Sequence, residues 1–187
     1  ARHERSGRLM FRTIAVVVAL ALAVLFGRAA LSSGDFQVES ARVIEAAPKD
    51  IMPYLDNFHG WAVWWPPERQ NPGVERRFSG SASGAGAVYD WTTAGVAGSG
   101  RMTISSAQPD FLNIAVDQRQ PRAMQATIEF RLAPVDGGTR ISVKYTGHHG
   151  LWTRLRHPLG IDTEPLEMQL DDALTYLKLA VEGNAPA

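Results

Sequence analysis

Glu164-Pro165-Leu166-Glu167-Met168-Gln169-Leu170-Asp171-Asp172-Ala173-Leu174-Thr175-Tyr176-Leu177-Lys178-Leu179-Ala180-Val181-Glu182 is the stretch whose reading decides the fold. Leu166, Leu170, Leu174, Leu177 and Val181 recur at helical spacing with Ala173 and Ala180 beside them, giving one continuous apolar stripe. Glu167, Asp171, Asp172, Thr175 and Lys178 fill the remaining arc. Asp162 or Thr163 can cap the start, Pro165 fits only a first turn, and Gly183 supplies a left-handed residue past the end. At 1.5 Å per residue the helix is roughly 28 Å long, enough to cross a small sheet.

What it packs against lies upstream. Ala87, Tyr89 and Trp91 alternate with Val88 and Asp90, and Met102 and Ile104 with Arg101 and Thr103. Leu112, Ile114 and Val116 alternate with Asn113, Ala115 and Asp117. Met124, Ala126, Ile128, Phe130 and Leu132 alternate with Gln125, Thr127, Glu129 and Arg131. Asp136-Gly137-Gly138 turns the chain into Ile141, Val143 and Tyr145. Each strand has one apolar and one wet face, which predicts an antiparallel sheet covered on one side by the last helix. Phe36 to Glu45 reads as a first strand whose mixed parity points to a bulge near Ser40. Pro48 opens a short helix that Pro53 should bend or end early.

Composition narrows the function classes. Nineteen basic residues balance nineteen acidic ones, so a nucleic-acid partner is not expected. There are no cysteines, which removes disulfides and thiolate chemistry.

Ile14 to Gly27 is uninterrupted apolar sequence. As a helix it spans roughly 21 Å, short of the ~30 Å hydrocarbon core, whereas Leu9 to Leu31 would reach roughly 34 Å if Arg12 and Arg28 snorkel. Arg2, Arg5, Arg8 and Arg12 precede the run. The positive-inside rule then predicts a single transmembrane anchor with a cytoplasmic amino terminus and the folded domain outside, in the inner (plasma) membrane. The rival reading is a cleavable signal peptide with Gly27 and Ala29 at its site. The expected organisation is residues 1–31 as terminus and anchor, 32–35 as linker and 36–187 as one domain.

His59 to Pro67 holds Trp61, Trp64 and Trp65, read as a rigid cap over one mouth of the core, a pocket wall or an interfacial aromatic belt. Gly80, Gly84, Gly86, Gly95, Gly98 and Gly100 cluster without a following helix start or lysine, so they read as turns and bulges rather than a phosphate loop. His148, His149, His157 and Asp162 match no standard ligand spacing, which speaks against a metal site. Trp152, Arg154, Arg156 and His157 fall in a crossover that is either solvated or a surface for lipid headgroups or a partner.

Val43 to Pro48, Trp61 to Pro66, Gly84 to Trp91, Gly98 to Ile104 and Gly137 to Ile141 together resemble the polyketide cyclase/dehydrase branch of the START-like (SRPBCC) superfamily. The resemblance covers Phe36 to about Glu182. It implies an α+β helix-grip fold, a curved antiparallel sheet wrapped around a long carboxyl-terminal helix with a cavity between them. That family includes cyclases, lipid and hormone carriers and coenzyme-carrier proteins, and implies no universal catalytic set and no cofactor.

Strand parity makes Tyr89, Trp91, Met102, Ile104, Met124, Ile128 and Tyr145, with Leu170 and Leu174 from the helix, the candidate cavity lining. Only the two tyrosines can move protons, and no catalytic dyad or triad is visible. Trp61, Trp64, Trp65, Trp152, Arg154, Arg156 and His157 are the candidate contacts to a partner or membrane. The leading expectation is a non-catalytic accessory subunit of a larger membrane complex, respiratory or photosynthetic for example, touching the bilayer and other integral subunits. The alternative is a protein that binds a lipid or other hydrophobic small molecule, or a cyclase-like enzyme that uses the cavity.

Overall fold

The computed structural model describes residues 14, 16–21, 23–24, 26–27, 35–70, 73–93, 98–120, 123–149 and 163–183. The chain divides into two compact units, one of Asp35–His148 with Asp162–Ala187 and one of Ala1–Gly34 with His149–Ile161.

In the larger unit β1 (Asp35–Ile44) leads into α1 (Pro48–Leu55), a 3-10 turn (Phe58–Val63) and α2 (Pro66–Gln70). Six strands follow: β2 (Glu75–Gly80), β3 (Ala87–Thr92), β4 (Ser99–Gln108), β5 (Phe111–Gln120), β6 (Met124–Val135) and β7 (Gly138–His149). Helix α3 (Glu164–Val181) closes the unit. The seven strands form one antiparallel sheet in the order β1-β7-β6-β5-β4-β3-β2. Successive strands from β2 to β7 are neighbours, so only β1 crosses over, to pair with β7.

The stripe on α3 behaves as its spacing predicts. Leu170, Leu174 and Leu177 are fully buried and Ala173 and Ala180 nearly so. Each buried leucine contributes roughly 1.5–3 kcal/mol. Pro165 sits in the first turn and Gly183 takes φ +76° beyond the end. Polar ties then fix the helix along β1. The Arg42 guanidinium holds both oxygens of Asp171 at 2.9 and 3.1 Å, Lys178 Nζ reaches the Val43 carbonyl at 3.1 Å, and the Glu45 amide donates to Glu182 at 2.8 Å. Helix and strand therefore run in the same direction.

Those ties correct one expectation. The β1–β7 register is unbroken from Asp35↔His148 to Ile44↔Thr139, with no bulge at Ser40. The parity looked mixed because Ser40 and Arg42 face inward, where they meet Asp171. Register shifts occur instead between β4 and β5, at Ser99/Gly100 and Ile104/Ser106. Helix α1 continues for only two residues past Pro53.

The expected transmembrane helix, and with it a single-pass inner-membrane placement with a periplasmic domain, is corrected by the structure. Among the described residues no helix is long and apolar enough to cross a membrane. The described helical positions lie within 14–27. That is roughly 21 Å, and an apolar helix needs ~30 Å to span the hydrocarbon core. The longer span needed residues 9–13 and 28–31, which lie outside the described residues. Apolar side chains of this stretch, Val17 and Leu20 among them, are more than half exposed.

The α3 stripe gives a direct test. Leu174→Ala should destabilise the protein by roughly 2–5 kcal/mol in urea unfolding. Met168→Ala, on the exposed arc of the same helix, should change it by no more than about 0.5 kcal/mol. Equal effects would mean that α3 is not held by its apolar face.

Candidate functional site

The inner face of the sheet is graded along the strands. At one end Ile44, Leu112, Ile114, Phe130 and Ile141 are 0–1% exposed, large branched or aromatic side chains in full contact. Ile104, Ile128, Leu170 and Leu174 share that packing at 0–1%. Four of the candidate cavity residues are thus core, with no room beside them for even a water.

The other five lie toward the opposite end. Tyr89, Met102 and Tyr145 keep 3%, 5% and 8% exposure, and Trp91 and Met124 are half-buried. The register aligns Met102, Tyr89, Met124 and Trp91 in two rows, while Tyr145 pairs with Val38 of β1. One runs Ala126, Val116, Met102, Tyr89, Phe78 across β6 to β2. The row beyond it runs Met124, Gln118, Gly100, Trp91, Arg76. On the far side Phe36 of β1 stands opposite Gly147 of β7. Because Asp171 meets Arg42 and Glu182 meets Glu45, the first turn of α3, with half-buried Leu166, points toward this same end.

Small residues make the floor there. A Cβ at position 100 would come within 2.3 Å of the Trp91 ring, and one at 147 within 2.4 Å of the Phe36 ring. Both rings therefore lie against bare backbone. Glycine, alanine and valine stand here in place of the isoleucine and phenylalanine at the other end, and Trp91 and Met124 beside them keep partial exposure.

Two kinds of polar group accompany these side chains. The Tyr145 ring stacks on Phe36 with centroids 5.9 Å apart, and its hydroxyl has no hydrogen-bond partner among the described residues. Burial pushes that phenol up to about 12. Gln118, inward by parity and half-buried, likewise has no hydrogen bond for its amide among the described residues. Glu68 of α2 is 7% exposed and fully engaged. Its Oε1 accepts from the Tyr89 hydroxyl and its Oε2 from Arg76 Nε. Burial, reinforced by that carboxylate, pushes the Tyr89 phenol far above its ordinary value. Both tyrosines are thus protonated donors at neutral pH, and neither is a base.

The remaining expectations sort as follows. Asp90, Asp117 and Glu129 lie on the wet face, where Arg101 grips Asp90 at 2.8 and 2.9 Å. Trp61, Trp64 and Trp65 are 0–5% exposed, buried within the unit instead of offered to a partner or membrane. Their indoles pack tilted or edge-on against one another, and those of Trp61 and Trp64 donate to the Leu55 and Tyr54 carbonyls. Trp152, Arg154, Arg156 and His157 lie outside the described residues. His148 Nδ1 meets an Asp35 oxygen at 2.7 Å. Sequence reasoning missed Glu68, Arg76 and Gln118. For Gln118 the signal existed, since it continues the Leu112, Ile114, Val116 alternation.

Residues 35–180 match the model of the family described as polyketide cyclase / dehydrase and lipid transport. The chain belongs to that family. Solved structures agree at the level of fold. A protein from Rhizobium leguminosarum superposes with a TM-score of 0.60 at 11% identity, over 81% of this chain and 97% of that one. One from Chromobacterium violaceum gives 0.55 at 19% identity, over 78% and 96%. The di-domain ARO/CYC StfQ of the steffimycin biosynthetic pathway gives 0.58 at 16%, over 81% of this chain and 52% of its own length. No curated protein matches the chain in sequence. Within this cyclase/dehydrase family chain the helix-grip architecture of a START-like ligand-binding domain is present.

The buried phenol yields a pH prediction. Tyr145 ionises near 12 in the folded state against 10.0 for an unperturbed tyrosine, so the folded form holds the proton more tightly. Its contribution to stability is complete below pH 10.0 and is lost as pH rises toward 12. Tyr145→Phe should remove up to about 2.7 kcal/mol of the alkaline loss, at 1.36 kcal/mol per pH unit. Parallel wild-type and variant stability curves across that window would contradict the burial of this hydroxyl.

Proposed function

We propose that this protein binds a hydrophobic small molecule in the trough between the first turns of α3 and the glycine-floored end of the sheet. The observation that carries the reading is Tyr145: a hydroxyl in a side chain 8% exposed, unpartnered among the described residues, on an apolar wall. An unmet buried hydroxyl costs about 1–3 kcal/mol, and an acceptor on a bound molecule removes that cost. Phe36, Trp91, Met102 and Met124 supply the apolar contact, the two methionines adapting to irregular shapes.

Binding is favoured over turnover. A cyclase or dehydrase step needs a base at the reacting carbon. Among the described residues the titratable groups placed here are two phenols held in their protonated form, a carboxylate whose oxygens are both engaged, and the Arg76 guanidinium paired with it. The expected role as a subunit of a membrane complex rested on an anchor, and no described helix is long and apolar enough to be one. The ligand-binding alternative does not depend on it.

Fluorescence titration with an environment-sensitive aromatic ketone tests the proposal. Saturable binding of one molecule per chain is expected. Tyr145→Phe should weaken it roughly 2- to 10-fold, the worth of one neutral hydrogen bond. Ala126→Trp, which fills the floor, should abolish it. Wild-type protein that never saturates would sink the reading.

A further inference from the structure

The charges at the trough cancel. Glu68 and Arg76 are the carboxylate and guanidinium that the described residues place there, and they are paired with each other. Asp90, Arg101 and Asp117 stand at neighbouring register positions but point to the opposite face. On α3 the acidic residues Glu164, Glu167, Asp171 and Asp172 are all exposed. The pair is also asymmetric: the Glu68 side chain is 6% exposed and that of Arg76 30%. The carboxylate is the inner partner, and solvent screens the cation more than the anion.

Pairing has a second consequence for donors. Tyr89 gives its proton to Glu68, and Arg76 gives Nε to the same group. What the described residues leave for a ligand is the Tyr145 hydroxyl and the Gln118 amide, both neutral. A neutral acceptor such as a ketone or ester oxygen is satisfied by such donors. Among the described residues a carboxylate leaving water would meet no uncompensated cation there, and burying an unpaired charge costs several kcal/mol.

We infer that Glu68 determines the chemical class of the ligand: by neutralising Arg76 it restricts the trough to uncharged apolar molecules bearing a hydrogen-bond acceptor, and excludes carboxylates. The inference rests on the binding reading above and adds the identity of the headgroup. Without Glu68, Arg76 beside Trp91 would be a forked cationic receptor suited to a carboxylate. Glu68 is therefore a specificity residue whose removal should change which ligand is preferred.

The test uses a matched pair of probes, a pyrene-labelled long-chain carboxylic acid and its methyl ester, titrated at about pH 8 into the full chain. For the wild type the ester should bind at least tenfold more tightly than the acid. In Glu68→Gln, Arg76 is freed, and the ester-to-acid ratio should fall tenfold or invert. In Arg76→Gln, the Glu68 charge stands alone and the ratio should widen. If Glu68→Gln does not fold, the wild-type ratio and Arg76→Gln still decide. Acid binding as tight as ester binding in the wild type overturns the inference while leaving the binding proposal intact. Failure of both probes to bind removes the binding proposal, and this inference with it.

Discussion

Everything in the larger unit depends on one contact, the apolar stripe of α3 pressed on the concave face of the sheet. Among the described residues of that unit no other helix approaches its 18 residues, and Leu170, Leu174 and Leu177 lose all contact with water against it. The hydrophobic contact has no direction of its own. Direction comes from the rim, where Asp171, Lys178 and Glu182 are tied to Arg42, Val43 and Glu45 along β1. The Arg42–Asp171 ion pair and the two hydrogen bonds to β1 backbone are partly exposed and add little stability individually. They align the helix with the strand and so decide which end of the stripe meets which end of the sheet.

That alignment sets the first turn of α3 over the end of the sheet with the smaller side chains, where we propose the ligand binds. Isoleucine, leucine and phenylalanine fill one end to the density of a core. At the other end glycines 100 and 147 lie beneath the Trp91 and Phe36 rings, and alanine and valine lie between. One helix can thus hold the sheet firmly and leave space beside its first turn.

The polar groups at that end follow the same economy. Glu68 arrives from α2 with both oxygens satisfied, so its burial is tolerated, while Tyr145 keeps a hydroxyl that no described residue meets. The tryptophan segment fills the wall leading to α2, with Trp64 packed edge-on to Phe130 of β6. Arg69, next to Glu68, lies 4.5 Å over the Tyr176 ring of α3. Neighbouring residues of α2 therefore fasten to the sheet and to the long helix.

Periodicity alone was enough to read the architecture. Leu166 to Val181 repeat at helical spacing and Met124 to Leu132 at strand spacing, and each pattern reports which side must leave water. The glycine turns and the inward parity of Tyr89, Met102 and Tyr145 were legible for the same local reason. Parity could not tell Ile104 from Met102, because both face inward, and the neighbour across the sheet decides which is sealed. Nor could it announce Glu68, whose burial depends on Tyr89 and Arg76, twenty-one and eight residues away along the chain. The mixed pattern of β1 misled for a related reason, since Arg42 faces inward only because Asp171 lies there. A local pattern fixes which face of an element is apolar. Where space remains, and which charge meets which, depends on residues brought together only by folding.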